Sequence, residues 1–391
     1  MGTNTKLTTI GRDPKKQKGF VNPGIYKGST MIFDNFQDYL DDINNADDRT
    51  TLYGINQNPS HKQLEESISK LYYAADTVIA SSGLAALIIP FFAYLKKDDE
   101  VLINDTVYSP TRTFCEKILK LYGVKINYFH PIKNIENFEN LISKKTKLIF
   151  LESPGTATFE ILDIPYITKI AKKNNIPTVM DNSWGSPLFC NPIKLGVNII
   201  IDAGTKYING HSDVIGGALI TNDHEILSKL KFWANALGIT GSPFDSYLTL
   251  RGLRTLGIRM EKHEKNATAI VELISTHPKI NKIYYPGLPS HPSHAIAKKQ
   301  QNGFGGMLSF EILGDLEGVK NFIEGMNILP LAASLGGFES LVSHPYTMTH
   351  GNLTPDQKKE VGISENLIRI STGLENTEDL LKSVNRGLKK I

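Results

Sequence analysis

The sequence predicts an α/β protein built on a large, mostly parallel sheet. Two observations point there. Short, nearly continuous apolar runs alternate with helical stretches, which is how strands buried on both faces read. The composition, 391 residues with 40% hydrophobic and 21% charged, belongs to an ordinary globular chain and excludes a fibre, a disordered tail or a disulfide-stapled miniprotein.

Taken in order, the first 57 residues are polar, lack sustained periodicity, and read as an extended arm. Tyr26, Phe33, Phe36, Tyr39 and Tyr53 give it more aromatic content than a solvated tail needs, so it is expected to lie on another subunit or on its own body. Ser60-His-Lys-Gln63 reads as a capping box opening a helix through Tyr73. Seven strands are predicted next: Thr77–Ala80, Val101–Ile103, Lys125–Phe129, Lys147–Leu151, Thr178–Met180, Ile199–Ile201 and Gly217–Ile220. Helices are expected between them, at Pro110–Tyr122 and Ile164–Asn174. A long helical tract over Ser246–Ser275 leads into a smaller α/β domain, with strands near Ile283, Met307–Ile312 and Leu367–Ile370 and helices near Leu316–Gly325 and Thr377–Leu388. The division is an arm over 1–57, a large domain over 58–252 and a smaller one over 253–391.

Lys+Arg 43 against Asp+Glu 40 leaves a net charge of +3, too balanced to imply a nucleic-acid or membrane partner. Cys115 and Cys190 are too few for a disulfide framework and read as reduced, buried thiols. The N-terminus has no apolar h-region, and Lys6 stands where a myristoylation site wants Ser or Thr. The expectation is a cytoplasmic protein.

Ligands of open parallel sheets bind at the carboxyl ends of the strands. Ser81-Ser82-Gly83-Leu84 follows the first strand and runs into a helix. It is equally well an anion cradle or an ordinary Ser cap. Asp181 closes the strand Thr178–Met180 and could cap, bind metal or face a cationic ring. Lys206 follows Ile199–Ile201 among small residues, where an amine can be desolvated and reactive. Tyr108 adds an aromatic ring. An anion cradle, a carboxylate, a ring and a sequestered lysine form the set that pyridoxal 5′-phosphate needs. His291, His294, His344 and His350 have no spacing that converges them with carboxylates on a metal, and they read as loop packing. Trp184 and Trp233 read as packing residues too, with Trp184 close enough to Asp181 to shape a pocket.

Thr205-Lys206-Tyr207-Ile208, followed by Gly210-His211-Ser212, resembles the lysine signature of the Cys/Met-metabolism family of pyridoxal-phosphate enzymes. The resemblance extends from about Tyr53 to Leu380. Asn198 departs from it, since the family usually has Asp or Gln there. The family implies fold type I of the pyridoxal-phosphate transferases: a seven-stranded sheet domain, a smaller C-terminal domain and an N-terminal arm. It also implies the roles of individual residues. Lys206 would be the Schiff-base lysine and general base, and Asp181 the partner of the pyridinium nitrogen. Tyr108 would stack on the ring and carry protons, with Gly83, Leu84 and Thr205 around the phosphate. Arg369 would clamp the substrate carboxylate with Ser334 nearby, and Tyr53 would reach the phosphate of the neighbouring subunit. The implied assembly is a tetramer made of dimers that share active sites.

Within the family, Tyr108-Ser-Pro-Thr-Arg112, Glu152-Ser-Pro-Gly155 and Arg251-Gly-Leu-Arg254-Thr255 look like the bacterial β-lyase branch. Pro110 stands where methionine γ-lyases carry Cys, and Ala333 where γ-lyases of cystathionine carry Glu. Leu335 replaces a Trp frequent in bacterial β-lyases, and the segment His344–His350 looks more like the γ-branch. The resemblance therefore implies β-elimination of cystathionine within methionine biosynthesis, with γ-chemistry on cystathionine or an acylated homoserine as the alternative. A pyridoxal-phosphate binder without catalysis is more remote, because it would have no need of Lys206, Asp181 and Arg369 together. Proton removal at Cα is common to elimination and racemisation, so alanine racemisation is an expected side activity.

The arm of the family places Arg two residues after its Tyr, and Ile55 holds that position here. Ala203 likewise replaces a frequent Ser. A lost charge-assisted hydrogen bond is worth roughly 1.5–3 kcal/mol, about one to two powers of ten in affinity. Ile55→Arg is expected to tighten cofactor binding by that order in a pyridoxal-phosphate titration of the cofactor-free enzyme. Unchanged affinity would mean that the arm takes another path or that another cation already serves the phosphate.

Overall fold

The computed structural model describes residues 2–44, 53–55 and 58–391. Seven strands form the large sheet: β1 (Asp76–Ala80), β2 (Glu100–Asn104), β3 (Lys125–Phe129), β4 (Thr146–Glu152), β5 (Thr178–Asp181), β6 (Ile199–Asp202) and β7 (Gly217–Thr221). Their order is β1-β7-β6-β5-β4-β2-β3. Every pair from β6 to β3 is parallel, whereas β7 is antiparallel to both β6 and β1. Two reversals leave β1 running in the direction of β6. The carboxyl ends of β1, β2, β4, β5 and β6 therefore open on one edge of the sheet.

The strands are apolar throughout because both faces are covered. Val101, Ile103, Phe150, Val179 and Ile201 point into one core, and the alternating Leu102, Ile149, Leu151, Met180 and Ile200 into the other, as the two-residue strand period requires. A second sheet follows in the order β10-β11-β9-β8, made of β8 (Ile280–Tyr284), β9 (Met307–Ile312), β10 (Leu341–Ser343) and β11 (Leu367–Ser371), all antiparallel. Leu308, Phe310, Ile368 and Ile370 form its core with Ile270 and Ile274 of the helix Leu256–Ser275 and Val384 of the helix Thr377–Leu388. Among the described residues no helix is long and apolar enough to cross a membrane.

Several local expectations are corrected. The helix after the arm spans Pro59–Tyr72 and is capped by Asn58, whose side chain accepts from Ser60 N. Ser60 Oγ instead accepts the amide of Tyr26 at 2.9 Å, so it ties down the arm. Pro59 at the first helical position explains the shift, since a prolyl ring with its fixed φ and missing N–H fits there. The tract Ser246–Ser275 is two helices, Pro243–Leu253 and Leu256–Ser275, interrupted at Arg254-Thr255. The segment 110–122 likewise divides into an α-helix, Ser109–Lys117, and a 3-10 turn, Leu119–Tyr122. Asn198, just before β6, ties that strand to β5: its Oδ1 accepts from both the amide and hydroxyl of Thr178.

The arm is not wholly extended. Helices Thr3–Thr9 and Phe36–Asn44 lie in it, and Leu7 and Ile10 are buried in the core of their own chain. Tyr53 pairs with Thr30 through an isolated antiparallel bridge. Asn56, next to Ile55, lies outside the described residues. Because Leu7 is fully buried, Leu7→Ala should cost about 2–5 kcal/mol of stability, read from the midpoint of a denaturant titration. A cost near zero would show that the first helix does not dock on its own chain.

Candidate active site

A cavity of about 570 Å³ lies at the shared strand edge. Its wall includes eight of the nine residues proposed from sequence: Gly83, Leu84, Tyr108, Asp181, Thr205, Lys206, Ser334 and Arg369. The ninth, Tyr53, is half exposed on the arm and is not part of the cavity wall of its own chain.

Lys206 is delivered by β6 and a five-residue π-type turn, Gly204–Ile208, in which Lys206 itself departs from helical geometry. Buried Arg259 holds that turn from behind. It donates to the carbonyls of Tyr207 at 2.7 Å, Ile208 at 3.4 Å and Gly252 at 2.8 Å, and to Thr255 Oγ1 at 3.1 Å. Lys206 Nζ donates to Ser334 Oγ at 2.9 Å. Burial and the nearby Arg369 guanidinium disfavour its ammonium form against the pull of Asp181, bringing its pKa down to about 8. Two residues after Ser334, Gly336 takes a positive φ and lies against Tyr207, where a Cβ would meet the Tyr207 amide nitrogen at 2.7 Å.

Asp181 ends β5 opposite Ile201 of β6, and its Oδ1 accepts from Ser183 N at 2.9 Å. Burial raises its pKa, so it is a carboxylate that gains from a cation placed against it. Arg369 stands in β11, an inner strand of the second sheet. Its Nε donates to Ser343 Oγ at 3.2 Å and its Nη1 to Thr156 O at 3.3 Å, which leaves other guanidinium N–H groups for the cavity. Tyr108 is two-fifths exposed at the start of the helix Ser109–Lys117. Burial and the carboxylates of Glu152 and Asp181 raise its phenol pKa.

Ser82 caps the helix Gly83–Tyr94 by accepting from Ala85 N at 3.0 Å. The amides of Gly83 and Leu84 have no acceptor among the described residues. Both readings of this segment thus hold together: the Ser is a cap, and two N–H donors remain for an anion. These groups fit pyridoxal phosphate. A phosphate matches the free amides and the Thr205 hydroxyl, an aldehyde matches a desolvated amine, and a protonated ring nitrogen matches a carboxylate lacking a cation.

Sequence reasoning did not place Glu152, Ser183, Thr156 or Asn352 in the wall, yet all four line it. Glu152 ends β4 at the same edge, which strand counting alone could have flagged. Trp184 also lines the cavity, as its closeness to Asp181 suggests, with its indole Nε1 buried and unpartnered. Trp233 packs away from it, stacked on Phe92. The histidines serve the loops: His344 Nε2 meets Glu365 O at 2.8 Å, and His291 Nε2 meets Thr158 O at 3.3 Å.

Because burial favours the neutral amine, acylation of Lys206 in the cofactor-free protein should rise through pH about 8. An ordinary lysine would follow a curve centred near ~10.4. Peptide mass spectrometry of protein acylated across a pH series reads this directly. Labelling of Lys206 that parallels the surface lysines would show a solvated amine.

The chain matches the family described as "Cys/Met metabolism PLP-dependent enzyme" over residues 4–389. It is 40% identical to the cystathionine gamma-lyase of Dictyostelium discoideum over 86% of this chain and 87% of that protein. It is 37% identical to the cystathionine beta-lyase of Lactococcus lactis over 99% and 98% of the two chains. Its fold superposes with a TM-score of 0.93 on the cystathionine gamma synthase of Xanthomonas oryzae, at 37% identity, covering 100% of this chain and 98% of that one. With a full-length family match and a cavity built for the same cofactor, the chain belongs to the pyridoxal-phosphate-dependent enzymes of Cys/Met metabolism.

Proposed function

We propose that this enzyme is a carbon–sulfur β-lyase that cleaves L-cystathionine to homocysteine, pyruvate and ammonia. The observation that carries the reading is the small acid–base set of the cavity. Lys206 presents a desolvated amine beside Ser334, and Tyr108 presents a phenol that burial keeps protonated. The other carboxylates are engaged: Glu152 accepts from Tyr108 N and from the Thr156 hydroxyl, and Asp181 from Ser183 N. β-Elimination needs one proton removed at Cα and one delivered to the departing sulfur, which one amine and one phenol can do. γ-Chemistry must also remove a proton at Cβ.

In this reading Arg369 pairs with the substrate α-carboxylate through its planar fork. That orients the Cα–H bond toward Lys206, whose neutral amine takes the proton. Asp181 would keep the ring nitrogen of a bound pyridoxal phosphate protonated. Bound there, pyridoxal phosphate supplies the sink for the electron pair left at Cα. The Cβ–S bond then breaks, Tyr108 protonates the sulfur, and the three-carbon fragment hydrolyses to pyruvate and ammonia. If the substrate has no leaving group, reprotonation at Cα from the Tyr108 side would racemise it. We further propose that Tyr53 serves the cofactor of a neighbouring subunit, so that the working unit is an oligomer in the cytoplasm.

The β-lyase of L. lactis, similar over 99% of the chain, supports this reading, as do Pro110 and Ala333 in the cavity wall. The γ-named relatives are of comparable identity and keep γ-elimination or γ-replacement as a second reading. Products decide between them. L-Cystathionine should give pyruvate and homocysteine in equal amounts, and Lys206→Ala should give neither. Release of 2-oxobutyrate with cysteine would establish γ-elimination instead.

A further inference from the structure

Glu152 is a buried carboxylate at the end of β4, in register with Asp181 on β5, and the reaction outlined above uses it for nothing. Its surroundings are nonetheless built around it. Asn104 of β2 fixes its backbone from both sides, Oδ1 accepting from Glu152 N at 2.8 Å and Nδ2 donating to Glu152 O at 3.1 Å. Its Oε2 accepts the Tyr108 amide at 2.6 Å, and its Oε1 accepts the Thr156 hydroxyl. The Thr156 amide in turn donates to Thr106 O at 3.0 Å. The Thr156 carbonyl is one of the two acceptors that orient Arg369.

We propose that Glu152 is a positioning residue that sets Tyr108 and, through Thr156, Arg369 as one unit, so that the proton-carrying phenol and the carboxylate clamp keep a fixed relation. The chain of contacts joins residues from β2, β4, β11 and the loop before the helix Ser109–Lys117, and among the described residues no other side chain touches both Tyr108 N and Thr156 Oγ1. Tyr108 also needs such a partner locally. It occupies the N-cap position of its helix without a side-chain cap bond, and Pro110 removes another helix-start donor.

A second consequence is electrostatic. Glu152 faces Asp181, Tyr108 and Arg369, and as an anion it opposes ionisation of the Tyr108 phenol. Burial and Asp181 push the carboxyl of Glu152 up to about 8, so above that pH it is charged, in the range where the phenol titrates. The carboxylate thereby keeps the phenol able to give a proton under alkaline conditions.

The proposal rests on Tyr108 being the acid of the β-lyase reading, and its test has a readout independent of turnover. Glu152→Gln keeps the shape: the amide oxygen can accept from Tyr108 N, and the amide nitrogen can donate to Thr156 Oγ1, while the charge is gone. Two results are expected of the holoenzyme. The phenolate signal of Tyr108, taken as the ultraviolet difference against the same protein with Tyr108→Phe, should move to lower pH. The alkaline limb of kcat/KM should move with it. Thr156→Val, which removes the hydroxyl and keeps the carboxylate, should raise KM roughly tenfold while leaving kcat near wild type, since one hydrogen bond of about 1–1.5 kcal/mol is lost. Thr156→Ser should restore KM. An unmoved phenolate titration in Glu152→Gln would overturn the electrostatic role, and a wild-type KM in Thr156→Val would overturn the link to Arg369. If wild type makes no pyruvate, the β-lyase reading fails, whereas the phenolate titration, read without substrate, still judges Glu152.

Discussion

The chemistry of this site depends on withholding water from one amine. An exposed lysine is protonated at neutral pH and neither attacks a carbonyl nor accepts a proton. Lys206 is drawn toward the neutral form because the turn that carries it is sunk between the two sheets, with a second cation, Arg369, in the same cavity. Holding that turn requires a buried cation behind it. Arg259 is almost fully buried, and a buried guanidinium is costly unless its donors are satisfied. Its bonds to three carbonyls and one hydroxyl meet that demand and fix the backbone just after Lys206. The arginine that disfavours charge on the lysine and the arginine that anchors it are thus different residues, on β11 and on the helix Leu256–Ser275.

Sheet direction does the rest of the assembly. Only β7 runs against its neighbours, so the start of the helix after β1 meets the ends of β4, β5 and β6 at one edge. Beneath that edge Tyr72 ties two of these ends together. Its hydroxyl donates to Asp202 Oδ2 at 2.6 Å and accepts from Asn182 Nδ2 at 2.8 Å. Asn182 follows Asp181 and Asp202 lies four residues before Lys206, so a fully buried phenol from a third element couples the carboxylate strand to the lysine strand. Burial raises the pKa of the Asp202 carboxyl, which disfavours a second negative charge close to Asp181.

What the sequence made legible was whatever depends on local pattern. All seven strands of the large sheet could be read from apolar runs, and the site residues from their places just beyond those runs. Arg369, Ser334, Thr205 and Tyr53 came only from the family resemblance; a buried arginine inside a strand, for one, has no local signature. The residues missed share a physical feature: their meaning arises only across long sequence separations. Glu152 reaches Tyr108 and Arg259 reaches Tyr207 through pairings that neither segment announces. β10 is three residues long and too short for any periodicity. Leu7 was not singled out within the arm because one buried side chain in a polar stretch forms no pattern, although it lies in the large core. The misplaced helix cap has a simpler cause. Ser60 and Gln63 fit the capping motif, but Pro59 had already set where the helix begins.

The charges of the cavity bear on how the cofactor is kept. Among the described residues, four charged ones line it: Glu152, Asp181, Lys206 and Arg369. In the proposed arrangement each has a task away from the phosphate. Asp181 faces the ring nitrogen, Lys206 the carbonyl carbon and Arg369 the substrate. The phosphate is left with the Gly83 and Leu84 amides, the partial positive charge of a helix start and the Thr205 hydroxyl, and that hydroxyl already exchanges hydrogen bonds with Gly216. These are neutral donors, suited to an anion but weaker than a guanidinium. Ile55 presents no donor from its side chain, and its carbonyl accepts from Thr240 Oγ1. Among the described residues no further cation lines the cavity, so in this reading Lys206, which would bond to the aldehyde carbon, would carry more of the retention of the cofactor. The desolvation that makes Lys206 nucleophilic then also does much of the work of holding the group it reacts with.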